Sequence, residues 1–247
     1  MSTLFDKWRI NPGLVRIILF RVLPGHEVEV GRRIEKECKR FGMPRGSFRV
    51  FRLFGSYDLV FVQDASKLIQ SEFAKLGTIP GVTGSTEYLC YNWVRTSGKS
   101  KPMFSIKHLS KPLVGLCFLK INPVLSERLG LEAELQFADC ISKTDLRFGG
   151  TISKMDRSVQ MLGTMGWSEI VLVISDSSLA GILHRIGDII PSLGMWQADG
   201  QPEVFAEKTF TMIGHDLDVS DPKRGKHKVV SLAKELRNGN LEIHFPA

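Results

Sequence analysis

In the run Leu14–Val22 apolar residues fill both sides of the chain. Val15, Ile17 and Leu19 fall on one face of a strand, and Ile18, Phe20 and Val22 on the other. Side chains alternate across a strand, so a sheet covered on one side alone reads as alternating apolar and polar residues. Leu59–Val62 and Ile170–Ile174 are apolar throughout. In Val114–Ile121, Val114, Leu116 and Phe118 share one face, and Cys117, Leu119 and Ile121 the other. Both faces of such sheets require cover: helices on one side and a second sheet on the other. Ile18, Phe20, Phe61, Phe118 and Leu172 are accordingly expected to be buried.

Between these runs the period changes to that of a helix. Val30, Ile34, Cys38 and Phe41 fall on one face, with Glu, Lys and Arg opposite. Gly42, Pro44 and Gly46 end that helix, and Phe48–Phe54 is a second strand. Gly55-Ser56-Tyr57-Asp58 makes a turn into the third strand, Leu59–Val62. Asp64 or Ser66 caps a helix running to Leu76, and Gly77 and Pro80-Gly81 stop it. Thr86–Trp93 is a fourth strand. The order β-α-β-β-α-β is the ferredoxin-like unit.

The same order returns further on. Leu113–Ile121, a helix from Asn122-Pro123 to about Cys140, Ser158–Leu162, Ile170–Ile174, a helix to Ile190 and Val204–Ile213 repeat it. The segment Gly55-Ser-Tyr-Asp-Leu-Val-Phe-Val is echoed by Gly166-Trp-Ser-Glu-Ile-Val-Leu-Val. The expected organisation is a first domain over 14–93, a polar linker over 94–112, a second domain over 113–214 and a C-terminal extension over 215–247. The two domains pair sheet to sheet, as an intrachain pseudo-dimer or α+β barrel.

Composition narrows the classes. Of 247 residues 43% are hydrophobic and 24% charged, the balance of a soluble globular protein. No apolar run approaches the roughly 20 residues that a membrane helix needs, and the first residues lack the apolar core of a signal peptide. The expected location is cytoplasmic, without membrane attachment. The four cysteines, Cys38, Cys90, Cys117 and Cys140, form no CxxC pair, and the six histidines are scattered. Buried free thiols are expected, with no metal site and no cofactor. The formal net charge is +7. Ten Lys/Arg stand against four Glu in residues 14–54, and six against one in 223–237. A solvated helix face and a basic tail account for both clusters. Nucleic acid or another anionic partner is the alternative.

Residues 14–93 resemble a known family. LFGSYDLVFVQDASKLIQSEFAKLGTIPGVTGSTEYLCYNW is similar to the effector-binding domain of the Lrp/AsnC transcriptional regulators, on Gly55, Tyr57, Asp58, Pro80, Gly81, Val82 and Thr86. VRIILFRVLPGHEVEVGRRI is similar to that domain's opening, and 113–214 resembles it more weakly through Gly166–Val173. The resemblance implies a domain that pairs through its sheets and binds small effectors near the Gly-x-x-Asp turn. About 13 residues precede the first strand, where those regulators carry a helix-turn-helix, so DNA binding by that route is not expected.

Three functions follow. The first is a non-enzymatic module for sensing a small effector or for self-association. Its candidate ligand residues are Gly55, Tyr57, Asp58 and Thr86, with Gly166, Trp167 and Glu169 in the second half. Glycine permits a close backbone approach, and Asp58 or Glu169 can accept from a ligand ammonium. Both segments also read as hairpin turns whose acid bonds local backbone. The second function is an enzyme of the dimeric α/β barrel type, binding haem or doing monooxygenase or isomerase chemistry. Against it, no Ser-His-Asp order, HExxH, Walker loop or GxGxxG is present, and His108, His184 and His215 stand alone. The third is RNA binding on an RRM-like sheet, for which the aromatic signature is missing.

Overall fold

The computed structural model describes residues 8–44, 46–64, 74–95, 104–122, 159–165, 169–194, 196–198, 201–203 and 206–217, with single residues at 124, 127 and 135. Eight strands close an antiparallel barrel: β1 (Trp8–Val22), β2 (Phe48–Phe54), β3 (Leu59–Asp64), β4 (Val82–Arg95), β5 (Leu113–Ile121), β6 (Val159–Thr164), β7 (Glu169–Asp176) and β10 (Ala206–Asp216). A separate two-stranded ribbon, β8 (Trp196–Ala198) with β9 (Gln201–Glu203), had no counterpart in the sequence reading. Around the barrel the order is β1-β3-β2-β10-β5-β7-β6-β4. This is an α+β fold. Two complete helices lie within the described residues, α1 (Glu27–Arg40) and α2 (Leu179–Gly194). Among them no helix is long and apolar enough to cross a membrane.

The two-faced apolar strands explain the closure. Val15, Ile17, Leu19, Val60, Val62 and Phe118 point inward and form one cluster with residues of β2, β6 and β7. Ile18, Phe20, Val22, Leu59 and Phe61 point outward under α1. On the other half Cys117, Leu119, Ile170, Leu172 and Ile174 point outward beneath α2. Ile18, Phe20, Phe61, Phe118 and Leu172 are all buried. Closing the ring removes the sheet edges that would otherwise be open to further pairing.

Two seams complete the ring. At one, β10 pairs β2 from Ile213↔Phe54 to Asp216↔Phe51. At the other, β4 pairs β6 through Cys90↔Thr164, Tyr91↔Gly163 and Asn92↔Leu162. Each seam carries a glycine that the neighbouring strand crowds. A Cβ on Gly214 would lie 2.5 Å from the carbonyl oxygen of Arg52, and one on Gly163 would overlap the Tyr91 ring.

The helices are set by local signals. In α1, Glu27 and Glu29 sit in the first turn and Lys39 and Arg40 in the last, matching the helix dipole. Gly42, at φ +73°, ends it. Its N–H donates to the carbonyl of Lys39 and that of Met43 to Cys38, which is the Schellman arrangement. At the start of α2 the free backbone N–H groups need a side-chain acceptor. The structure uses Ser178, whose Oγ accepts from the Gly181 N–H at 3.0 Å, while Asp176 Oδ1 accepts from the Ser178 N–H.

Candidate functional site

The barrel interior is a packed core. Ile17, Leu19, Phe51, Val60, Leu116 and Phe118 fill it with essentially no exposure. A ligand must therefore sit at an end of the barrel or on its outside. The antiparallel order puts the β2–β3 turn and the β6–β7 connection at one end, and the entry to β5 at the other.

At the turn end Gly55 adopts φ +136°, which frees the chain to reverse. Asp58 is a structural clamp. Its Oδ2 accepts from the Val22 N–H at 2.7 Å, and its own N–H donates to the carbonyl of Phe20 at 2.9 Å. The carboxylate thus joins the β2–β3 turn to the end of β1, 36 residues away. Tyr57 reaches across instead, its hydroxyl 2.9 Å from Oγ1 of Thr86. The Arg21 guanidinium lies over the Tyr57 ring, 5.1 Å from its centroid. Tyr57 and Tyr88 both pack on the inner core, and Tyr88 meets Phe118 at 4.8 Å. Gly55, Tyr57, Asp58 and Thr86 are therefore brought together, with Tyr57 and Thr86 at the barrel mouth. Gly166 and Trp167 lie outside the described residues. Glu169 opens β7, paired in register with Lys120.

The opposite end is closed by residues 104–109, inside the stretch read as a polar linker. Phe104, Ile106 and Leu109 are buried in the inner core. Asn92 holds the segment like a neighbouring strand. Its Nδ2 donates to the carbonyl of Phe104 at 2.7 Å, and its Oδ1 accepts from the Phe104 N–H at 2.9 Å. Gln160 Oε1 accepts from the Ser105 N–H at 2.6 Å. Asn92 and Gln160 were not singled out from the sequence. A polar residue interrupting an apolar strand was the available signal.

Reactive groups are few among the described residues. No set of His, Cys, Asp and Glu could hold a metal ion. Cys38, Cys90 and Cys117 are buried thiols outside any disulfide, as expected, while Cys140 lies outside the described residues. Burial pushes the thiols of Cys38 and Cys90 up to about 12. Four histidines can be placed. His26 faces Glu29 at the surface. His215 lies tilted against Phe54, with ring centroids 5.7 Å apart and Nδ1 3.2 Å from the carbonyl oxygen of Asp216. His184 is exposed on α2, and His108 ends the 3-10 turn of the barrel plug. None of these four forms a haem cradle among the described residues.

No family model and no curated protein matches this sequence. Solved structures do match the fold. A mutant chlorite dismutase from Candidatus Nitrospira defluvii, in complex with cyanide, superposes with a TM-score of 0.51 at 12% identity, over 84% of this chain and 92% of its own. A haem-binding protein from Thermus thermophilus superposes with a TM-score of 0.52 at 13% identity, over 87% and 95%. What they share with this chain is the fold, an α+β barrel. The likeness to the Lrp/AsnC effector domain is supported at the level of the fold only.

Proposed function

We propose that this chain is a haem-binding protein of the single-chain α+β barrel type, built from two ferredoxin-like halves over about 14–93 and 113–214. The observation that carries the reading is extent: a haem-binding protein shares the fold over 87% of this chain and 95% of its own. The repeated strand order supports the division, since β4-β1-β3-β2 and β10-β5-β7-β6 follow the same course through the ring. No reaction step is assigned, because the described histidines offer no cradle. The test is titration of the full chain with haemin, read by the Soret band. Saturable one-to-one binding with a shifted Soret maximum is expected, lost on replacing one of the six histidines by Ala. A spectrum identical to that of free haemin at every ratio overturns the reading.

A second reading keeps the small-effector function and rests on the Tyr57–Thr86 hydroxyl pair. Two half-buried hydroxyls beside the aromatic pair Tyr88 and Phe118 suit a small ligand with a polar group and a flat apolar body. Asp58 supports that mouth through Val22, and the counterpart turn at Gly166, Trp167 and Glu169 would complete it. Thermal-shift screening against amino acids and nucleotides tests this. A ligand at 100 times its Kd raises stability by about 2.7 kcal/mol. A hit that Tyr57→Phe with Thr86→Val leaves unchanged would place the site elsewhere.

A further inference from the structure

On the outside of the barrel, α1 and the segment before β4 flank an open cleft of about 430 Å³. Arg33, Lys36 and Glu37 line it from α1. Lys75, Thr78, Ile79 and Pro80 line it from the facing segment. The volume lies within the roughly 300–1,000 Å³ usual for small-molecule sites.

The walls are fixed by the core beneath them. Val30, Ile34 and Cys38 of α1 share one buried cluster with Leu76 and Ile79. Gly81, at φ +99°, brings the facing segment against the helix, and a Cβ there would stand 2.9 Å from Val30 Cγ2. The Gly81 carbonyl also accepts from the Leu23 N–H at 2.8 Å, tying the same turn to the end of β1. The 3-10 turn Leu76–Thr78 closes on itself, with Thr78 Oγ1 donating to the Lys75 carbonyl at 2.9 Å.

Charge in this cleft is unbalanced. Three of its side chains are cationic and one is acidic. Glu37 is drawn out along the helix to Arg40, at 3.7 Å, and Arg33 is shared with Glu29 at 2.6 Å. Lys36 stands three residues from Arg33 on the same helical face, where like charges oppose one another. Lys75 faces them from the other wall, with Nζ 5.8 Å from the centre of the Phe41 ring. A fixed cleft that gathers like charges is relieved by an anion. Ile79 and Pro80 add an apolar wall against which the body of such a molecule can rest.

The geometry points to this cleft as a binding site for a phosphorylated small molecule, its phosphate held by Lys36 and Lys75 with Arg33. Both lysines are exposed, so they can be replaced without disturbing the core. The full chain is titrated by calorimetry with pyrophosphate and with AMP. Vesicles of phosphatidylcholine with and without phosphatidylglycerol form a parallel sedimentation arm. Saturable binding of pyrophosphate or AMP is expected, at least tenfold weaker in Lys36→Ala with Lys75→Ala. It should be unchanged in Arg32→Ala with Lys107→Ala, which removes as much charge from exposed positions elsewhere. Sedimentation that depends on the two cleft lysines, with no binding of the soluble probes, would assign the phosphate to a lipid headgroup. Equal weakening in both double variants, or no saturable binding to any probe, would overturn the site. A urea midpoint equal to wild type in the cleft variant shows that a loss of binding is not a loss of fold.

Discussion

The Tyr91 ring occupies the space that a side chain at Gly163 would need. The two residues face each other across the β4–β6 seam, where three residue pairs close the ring. Gly163→Ala should cost about 1–3 kcal/mol by overpacking. Tyr91 stands edge-on to Trp93, with centroids 5.5 Å apart, so the ring has little room to retreat. Urea unfolding of both single variants and of Gly163→Ala with Tyr91→Ala would show coupling of about 1 kcal/mol or more. Strict additivity would mean that the ring is not the obstacle.

The other seam should be less forgiving. At Gly214 the obstacle includes the Arg52 carbonyl, which belongs to the backbone and cannot rotate away. Gly214→Ala should therefore cost about 3 kcal/mol or more. Trimming the neighbouring Leu53 to Ala should not restore the loss. A Gly214→Ala variant as stable as wild type would show that the β2–β10 seam is looser than its geometry.

Asn92→Ala should free the barrel plug. It removes both hydrogen bonds to Phe104 and leaves a buried N–H and carbonyl without that partner. The expected cost is about 2–3 kcal/mol. Hydrogen exchange at Phe104 and Ser105 should accelerate far more than at β3. Uniform acceleration across the barrel would mean that the plug and the barrel open as one unit.

What could be read in the sequence follows from these energies. Strands apolar on both faces leave no solvent side, so burial of Phe61 and Leu172 followed from the lack of any apolar–polar alternation. The end of α1 was visible in Gly42, because that backbone conformation selects glycine. The plug was not visible. Phe104, Ile106 and Leu109 are three apolar residues in a polar stretch, spaced by two and three, and match neither a strand nor a helix period. Their burial depends on Asn92 and Gln160, which are distant in the chain. At the site, Tyr57 and Thr86 were both picked out through family resemblance, but their contact was not. The attachment of Asp58 to Val22 depends on how β1 meets the turn, which no local pattern encodes.

Cys38 and Cys90 should resist thiol reagents in the native protein. Burial disfavours their thiolates, with values near 12, and the thiolate is the reacting form. At pH 8, site-resolved mass spectrometry should find both unmodified by iodoacetamide until urea unfolds the chain. Modification of Cys90 under native conditions would mean that the barrel interior opens often.

Acid should loosen the start of α2 through Asp176. Burial alone would raise the pKa of this carboxyl, but the Ser178 N–H and the Arg185 guanidinium more than offset it, and the result is lowered. Ser178 donates to Oδ1 at 3.0 Å and Arg185 Nε to Oδ2 at 3.3 Å. The charged form is therefore favoured by folding. A carboxyl with a depressed native pKa adds stability above its unfolded value, about 3.9, and loses it as pH falls through the native value. Asp176→Asn should be less stable than wild type at pH 7, and its stability should fall less steeply below about pH 4. Glu27 is also held low in α1, chiefly by its own backbone N–H, so a residual acid dependence should remain. Urea midpoints for both proteins across pH 2.5–7, with exchange rates for Ile182 and Leu183, separate the two contributions. A constant gap between the proteins at every pH would mean that Asp176 acts through geometry alone and that its charge has no part in holding α2.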